Sequence, residues 1–182
     1  MHTREWLSTQ LVKCVILIMK TPLRRMKIMT KILFVCLGNI CRSPMAEFLM
    51  KDLVEKAGLS EQFQVASAGT YPAGGPVNPP AQKKLAEHGI SCEGKFSRQL
   101  VKADYDQFDL LIGMDNLNLV AMQYMFDNDP EGKLHRLLDF TDDPRNIEDP
   151  WYTRDYETAW QDIEKGCRGL LETLQGKRND HC

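Results

Sequence analysis

A chain of 182 residues suits one compact domain, or a domain with a tail, and a domain of ~150 residues hides roughly 70% of its unfolded surface without covalent staples. Hydrophobic residues at 43%, charged residues at 26%, a net charge of -2 and a pI near 6.1 exclude a disordered chain and a generally basic nucleic-acid-binding surface. The six cysteines form no C-x-x-C pair and no zinc-like Cys/His spacing, so they read as reduced thiols of a cytoplasmic protein.

Residues 1–29 are basic and carry a short apolar run from Cys14 to Met19, far below the ~20 residues of a membrane span. Arg4 ahead of that run permits a signal-peptide reading. No A-x-A-like cleavage site follows, however, and Pro22-Leu23-Arg24-Arg25 adds charge, so an extension preceding the domain is the reading adopted, with no stable membrane insertion. The domain is expected over residues 30–176 and a tail over 177–182.

Ile32-Leu33-Phe34-Val35 predicts a buried parallel strand. Ser43, as a cap, and Pro44, in the first turn, open a helix in which Met45, Phe48, Leu49 and Leu53 recur at helical spacing until Gly58. Phe63 to Ser67 predicts a second strand. The Pro- and Gly-rich stretch from Tyr71 to Pro80 is a loop, and a helix follows over Pro80 to His88. Phe108 to Gly113 is a third strand, Asp115-Asn116 starts a helix to about Met125, and Lys133 to Leu138 is a fourth strand. Thr141 to Tyr152 is a polar loop, and the last helix runs from about Asp155 to Leu174 with Ala159, Ile163, Cys167, Leu170, Leu171 and Leu174 on one stripe. Strands alternating with helices imply right-handed crossovers and a parallel sheet covered on both faces, an α/β/α sandwich with ligands beyond the carboxyl ends of its strands.

The segment Cys36-Leu37-Gly38-Asn39-Ile40-Cys41-Arg42-Ser43 joins the first strand to the first helix as C-x5-R-S. A loop curling at a helix N-terminus turns successive N–H groups inward and forms a nest for an anion. Gly38 and Asn39 are the residue types that most readily take the left-handed angles of such a curl. The planar fork of Arg42 binds two phosphate oxygens. Inward amides, helix dipole and guanidinium all favour the Cys36 thiolate, which can then attack phosphorus. Ser43 either donates a hydrogen bond to Cys36 or caps the helix, and the two roles are compatible.

The stretch Val35–Glu47, VCLGNICRSPMAE, resembles the signature of the low-molecular-weight protein tyrosine phosphatases. The likeness continues through Ser67-Ala68-Gly69-Thr70, His88-Gly89-Ile90, Arg98-Gln99, Met114-Asp115 and Ile147-Glu148-Asp149-Pro150-Trp151-Tyr152, and spans roughly Lys31 to Leu174. The resemblance implies a four-stranded parallel sheet with flanking helices and hydrolysis of phosphotyrosine in proteins, without cofactor or metal. By residue chemistry Asp149-Pro150 reads first as a common turn and only second as a proton donor; the resemblance makes Asp149 the general acid. It also makes Tyr71, Trp151 and Tyr152 the walls of a slot too deep for phosphoserine. Relatives that act on phosphoarginine carry Thr where this chain has Ile40, so Ile40 favours phosphotyrosine.

Cys41 reads either as a packed thiol or, by the resemblance, as the partner of a protective disulfide with Cys36. Asn39 shapes the loop and Asp115 is expected in the network around it. Many relatives carry a His shortly before the Arg-Gln pair that braces the loop; Ser91 to Ser97 contains none, so Asn39 must be held otherwise. Two rival functions stand beside the phosphatase: an arsenate reductase, which needs a relay of two further neighbouring cysteines that Cys92 and Cys167 do not supply, and a non-catalytic phosphate-binding module, which would have lost Cys36, Arg42 or Asp149. The oligomeric state is left open.

Overall fold

The structure, a computed structural model, describes residues 29–179. The basic segment with its Cys14–Met19 run lies outside the described residues. Strand β1 (Thr30–Cys36) is the central element, and its residues Ile32 to Val35 have no solvent exposure. Helix α1 (Arg42–Lys56) returns along one face and leads to β2 (Phe63–Gly69), which pairs with β1 in parallel. After α2 (Pro79–Glu87) and the five-residue α3 (Ala103–Gln107), β3 (Leu110–Gly113) joins the opposite side of β1. Helix α4 (Asn116–Met125) leads to β4 (Leu134–Arg136), which completes a four-stranded parallel sheet of order β2-β1-β3-β4. A short turn of helix, α5 (Pro150–Thr153), precedes the long closing helix α6 (Tyr156–Asn179).

Strand alternation splits the core in two. Ile32 and Phe34 face α1, α2 and α6, where Met45, Leu49, Leu85, Trp160, Ile163 and Leu170 bury them. Leu33 and Val35 face the opposite layer, built by Tyr105, Met122 and Phe126. Consecutive strands leave β1 in opposite directions, so the order reverses there and a crevice opens beyond its carboxyl end. Cys36 is the last residue of β1, paired with Gly69 in register, and therefore stands at that crevice. Among the described residues no helix is long and apolar enough to cross a membrane.

Several elements depart from expectation. The fourth strand stops at Arg136, because the Asp139 carboxylate accepts the Arg136 N–H and bends Leu137–Phe140 into a 3-10 turn. Leu137 is apolar because it packs on Gly166 of α6, where an added Cβ would come within 2.5 Å of the Leu137 side chain. The third strand begins at Leu110, since the Phe108 N–H still bonds to the Asp104 carbonyl at the end of α3. The loop before Tyr152 contains α5, capped by Asp149, whose Oδ1 accepts the Trp151 N–H at 3.0 Å. Ser43 does not cap α1: the cap position is Cys41, and the Ser43 side chain turns back into the loop.

Candidate active site

The loop Cys36–Arg42 is held open from outside. Its carbonyls at Cys36, Leu37, Gly38 and Ile40 accept N–H groups of Thr70, Tyr71, Ala73 and Asn78, all at 2.8–3.0 Å. In a planar trans peptide the N–H points opposite to the C=O, so the amides of Leu37, Gly38, Asn39 and Cys41 turn inward. One of them is already engaged, the Asn39 N–H, which lies 3.3 Å from Cys36 Sγ. Asn39 takes the left-handed backbone (φ 53°) that the curl requires.

Cys36 sits at the base, 3% exposed, with its sulfur 3.0 Å from Ser43 Oγ. Arg42 closes the ring, 2% exposed. Its Nη1 donates to Asp115 Oδ2 at 2.5 Å and to the Ile147 carbonyl at 2.9 Å, and its Nη2 donates to Asp149 Oδ2 at 2.6 Å. Burial disfavours the guanidinium charge, but the neighbouring Cys36, Asp149 and Asp115 outweigh it and hold Arg42 above its ordinary value. Arg42 Nε is buried without a hydrogen-bond partner.

Above this base opens a cavity of about 210 Å³ lined by Cys36, Leu37, Gly38, Ile40, Cys41, Arg42, Tyr71, Ala73, Asp149, Trp151 and Tyr152. Of the residues singled out in the sequence, Asn39 and Ser43 do not line it and stand behind the wall. Tyr71, Trp151 and Tyr152 are exposed at its rim, where their rings can meet a ligand, and the Arg154 guanidinium lies 5.8 Å from the centre of the Trp151 ring. Ala73 was not foreseen. The Cys41 thiol meets the Asn78 amide at 3.4 Å and the Tyr156 hydroxyl at 3.6 Å; burial pushes it up, more than those hydrogen bonds pull it down.

Asp115 does not take part in the Asn39 network. Its Oδ2 serves Arg42 and its Oδ1 accepts the Asn118 N–H at 2.7 Å, capping α4. Asn39 is held instead by Arg98, whose backbone N–H donates to Oδ1 at 3.0 Å, and by Ser43 and Ser67, whose hydroxyls accept from Nδ2 at 2.9 and 2.8 Å. Ser67 in turn donates to Glu47 Oε2 at 2.6 Å. Neither Glu47 nor its partner Lys95 had a local signal to mark it, because they come from α1 and from a loop distant in sequence.

A parallel α/β sheet whose switch-point strand ends in an amide-lined cysteine loop, closed by a buried arginine, defines a phosphate-handling enzyme class. The sequence profile described as "Low molecular weight phosphotyrosine protein phosphatase" matches residues 31–180. The low molecular weight protein-tyrosine-phosphatase YfkJ of Bacillus subtilis is 39% identical over 154 residues, covering 82% of this chain and 99% of YfkJ. The crystal structure of YfkJ aligns with a TM-score of 0.80, covering 82% of this chain and 96% of that one. The human low molecular weight phosphotyrosine protein phosphatase is 38% identical, covering 78% of this chain and 93% of the human protein. A Drosophila arginine phosphatase, 30% identical, aligns with a TM-score of 0.72 over 80% of this chain and 98% of that one. The chain belongs to the low molecular weight phosphotyrosine protein phosphatase family, and is by family a protein-tyrosine-phosphatase.

Proposed function

We propose that the protein hydrolyses phosphotyrosine in proteins by double displacement at Cys36. The observation that carries this reading is one cavity lined by a cysteine sulfur, a buried guanidinium and a carboxylate, with aromatic side chains at its rim. The inward amides, together with the unpartnered Nε–H of Arg42, are donors that three phosphate oxygens would satisfy. The phosphate dianion takes the Nη2–H now held by Asp149, and the released Asp149 carboxylate takes up a proton from solvent and holds it for the leaving group.

In the first step the Cys36 thiolate forms a bond to phosphorus while the phosphorus–oxygen bond to tyrosine breaks. The departing oxygen takes the Asp149 proton. In the second step water attacks phosphorus, Asp149 accepts its proton, and the sulfur leaves as thiolate, aided by Ser43. Ile40, Tyr71, Trp151 and Tyr152 supply apolar edges that suit an aryl ester better than phosphoserine or the guanidinium of phosphoarginine.

Cys36→Ser should abolish hydrolysis and retain phosphate binding. Asp149→Ala should slow phosphotyrosine far more than p-nitrophenyl phosphate, whose leaving group needs little protonation; equal losses remove Asp149 from the acid role. Phosphotyrosine, phosphoarginine and phosphoserine peptides assayed in parallel with chelator present decide the substrate class.

A further inference from the structure

Behind the loop runs a chain of hydrogen bonds held by a carboxylate at its far end and by a backbone N–H at its middle. Lys95 Nζ lies 2.8 Å from Glu47 Oε2, and both side chains are nearly buried. Lys95 also donates to the Ser67 carbonyl at 3.4 Å. An ionised carboxylate only accepts, so the Ser67 hydroxyl must donate to that same Oε2, 2.6 Å away. Ser67 Oγ is then left to accept, and Asn39 Nδ2 donates to it at 2.8 Å.

The orientation of the Asn39 amide has an independent anchor. The Arg98 backbone N–H can only donate, so the atom it meets at 3.0 Å is Oδ1, which turns Nδ2 toward the serines. The second N–H of Nδ2 goes to Ser43 Oγ at 2.9 Å. Ser43 Oγ therefore already accepts, and its own hydrogen has two acceptors in reach, the Cys36 sulfur at 3.0 Å and the more distant Ala68 carbonyl at 3.4 Å. A neutral Glu47 would carry a proton able to donate to Ser67, leaving the Ser67 hydrogen without its acceptor and loosening the hold of Ser67 on Asn39.

We propose that Lys95 is a positioning residue for the reaction: by keeping Glu47 acceptor-only, it fixes Ser67, Asn39 and Ser43 so that the Ser43 hydroxyl donates to the Cys36 thiolate. The inference rests on the reading of Cys36 as nucleophile. It also answers how a chain with no His between Ser91 and Ser97 braces its loop. Burial pushes the Glu47 carboxyl up, but hydrogen bonds from Lys51, Lys95 and Ser67 outweigh it and hold the group below the usual range.

The test uses the full chain with four substitutions. Lys95→Met removes the ammonium from Oε2, the oxygen that accepts from Ser67, and leaves only the half-exposed Lys51 on Oε1. Ser67→Ala cuts the chain and leaves the ion pair in place. Both should lower kcat for phosphotyrosine about tenfold with KM changed less than about threefold, and both should slow iodoacetate alkylation of Cys36 at about pH 6 severalfold. Lys95→Arg should recover most of each loss. Native kcat and native alkylation in either Lys95→Met or Ser67→Ala would overturn the proposal, provided Cys36→Ser is inactive. Should Cys36→Ser retain hydrolysis, the nucleophile assignment falls instead. If Lys95→Met does not fold, Ser67→Ala decides by the same two readings.

Discussion

Replacing Asn39 by Ala tests whether the loop is held by side-chain hydrogen bonds or only by its own backbone. Asn39 is fully buried and makes three side-chain bonds, to Ser43, Ser67 and the Arg98 N–H, at 2.9, 2.8 and 3.0 Å. At about 1 kcal/mol net for each bond, their loss costs about 3 kcal/mol. Alanine must also hold the left-handed φ of 53°, which adds about 1 kcal/mol. The expected destabilisation is about 4 kcal/mol, a fall in Tm of roughly 8–16 °C for a domain of this size. Urea unfolding of the native and Asn39→Ala proteins measures the difference directly. Asn39→Gly lifts the strain but has a more flexible unfolded chain, and should recover only about 0.5 kcal/mol. A loss under about 1 kcal/mol in Asn39→Ala, against the three-bond sum, would refute the reasoning and leave the loop to its outward carbonyl bonds.

Gly69 is the tightest point behind the loop: an added Cβ would lie 2.7 Å from the Leu37 carbonyl oxygen and 3.1 Å from Asn39 Cβ. Gly69→Ala should cost about 1–3 kcal/mol and, by tilting the amides, weaken phosphate binding as read by calorimetry. Gly169→Ala provides the contrast, since its Cβ would meet the Phe140 carbonyl on the packing side of α6; Tm should fall by several degrees, about 1–3 kcal/mol, with kcat unchanged. Arg42→Lys keeps the charge but not the fork that joins Asp115, Ile147 and Asp149, so kcat/KM should fall at least about 100-fold in steady-state assays. The Glu47 carboxyl is depressed in the folded state, so its stabilisation is whole above its unfolded value, about 4.5, and is lost as pH falls through the lower folded value. Urea unfolding of native protein and Glu47→Gln across pH should show a constant gap near neutrality that closes below about pH 4.5; a gap widening in acid would contradict the sign.

Contiguity explains what could be read from the chain alone. The loop from Cys36 to Ser43 is one short segment, and its character follows from residue types at adjacent positions: a cysteine at a strand end, residues tolerant of the left-handed backbone, and a guanidinium at a helix start. The buried strands were legible for the same reason, since four consecutive apolar residues such as Ile32 to Val35 fit a strand covered on both faces. Leu137 and Leu138 misled because apolar character reports burial, not conformation, and a side chain two residues on, Asp139, ended the strand.

Tertiary structure alone decided what surrounds that loop. Arg42 meets Asp115 and the Ile147 carbonyl from 73 and 105 residues away, and no periodicity or spacing encodes such meetings. The expectation that Asp115 would serve Asn39 failed on that point, because which buried donor a carboxylate reaches depends on how α4 docks beside β3. Lys95 and Glu47 are ordinary charged residues in the sequence, and they acquire meaning only where folding removes water and leaves each the other's partner. Local residue chemistry thus wrote the phosphate loop, while desolvation and long-range packing chose the groups that hold it in shape.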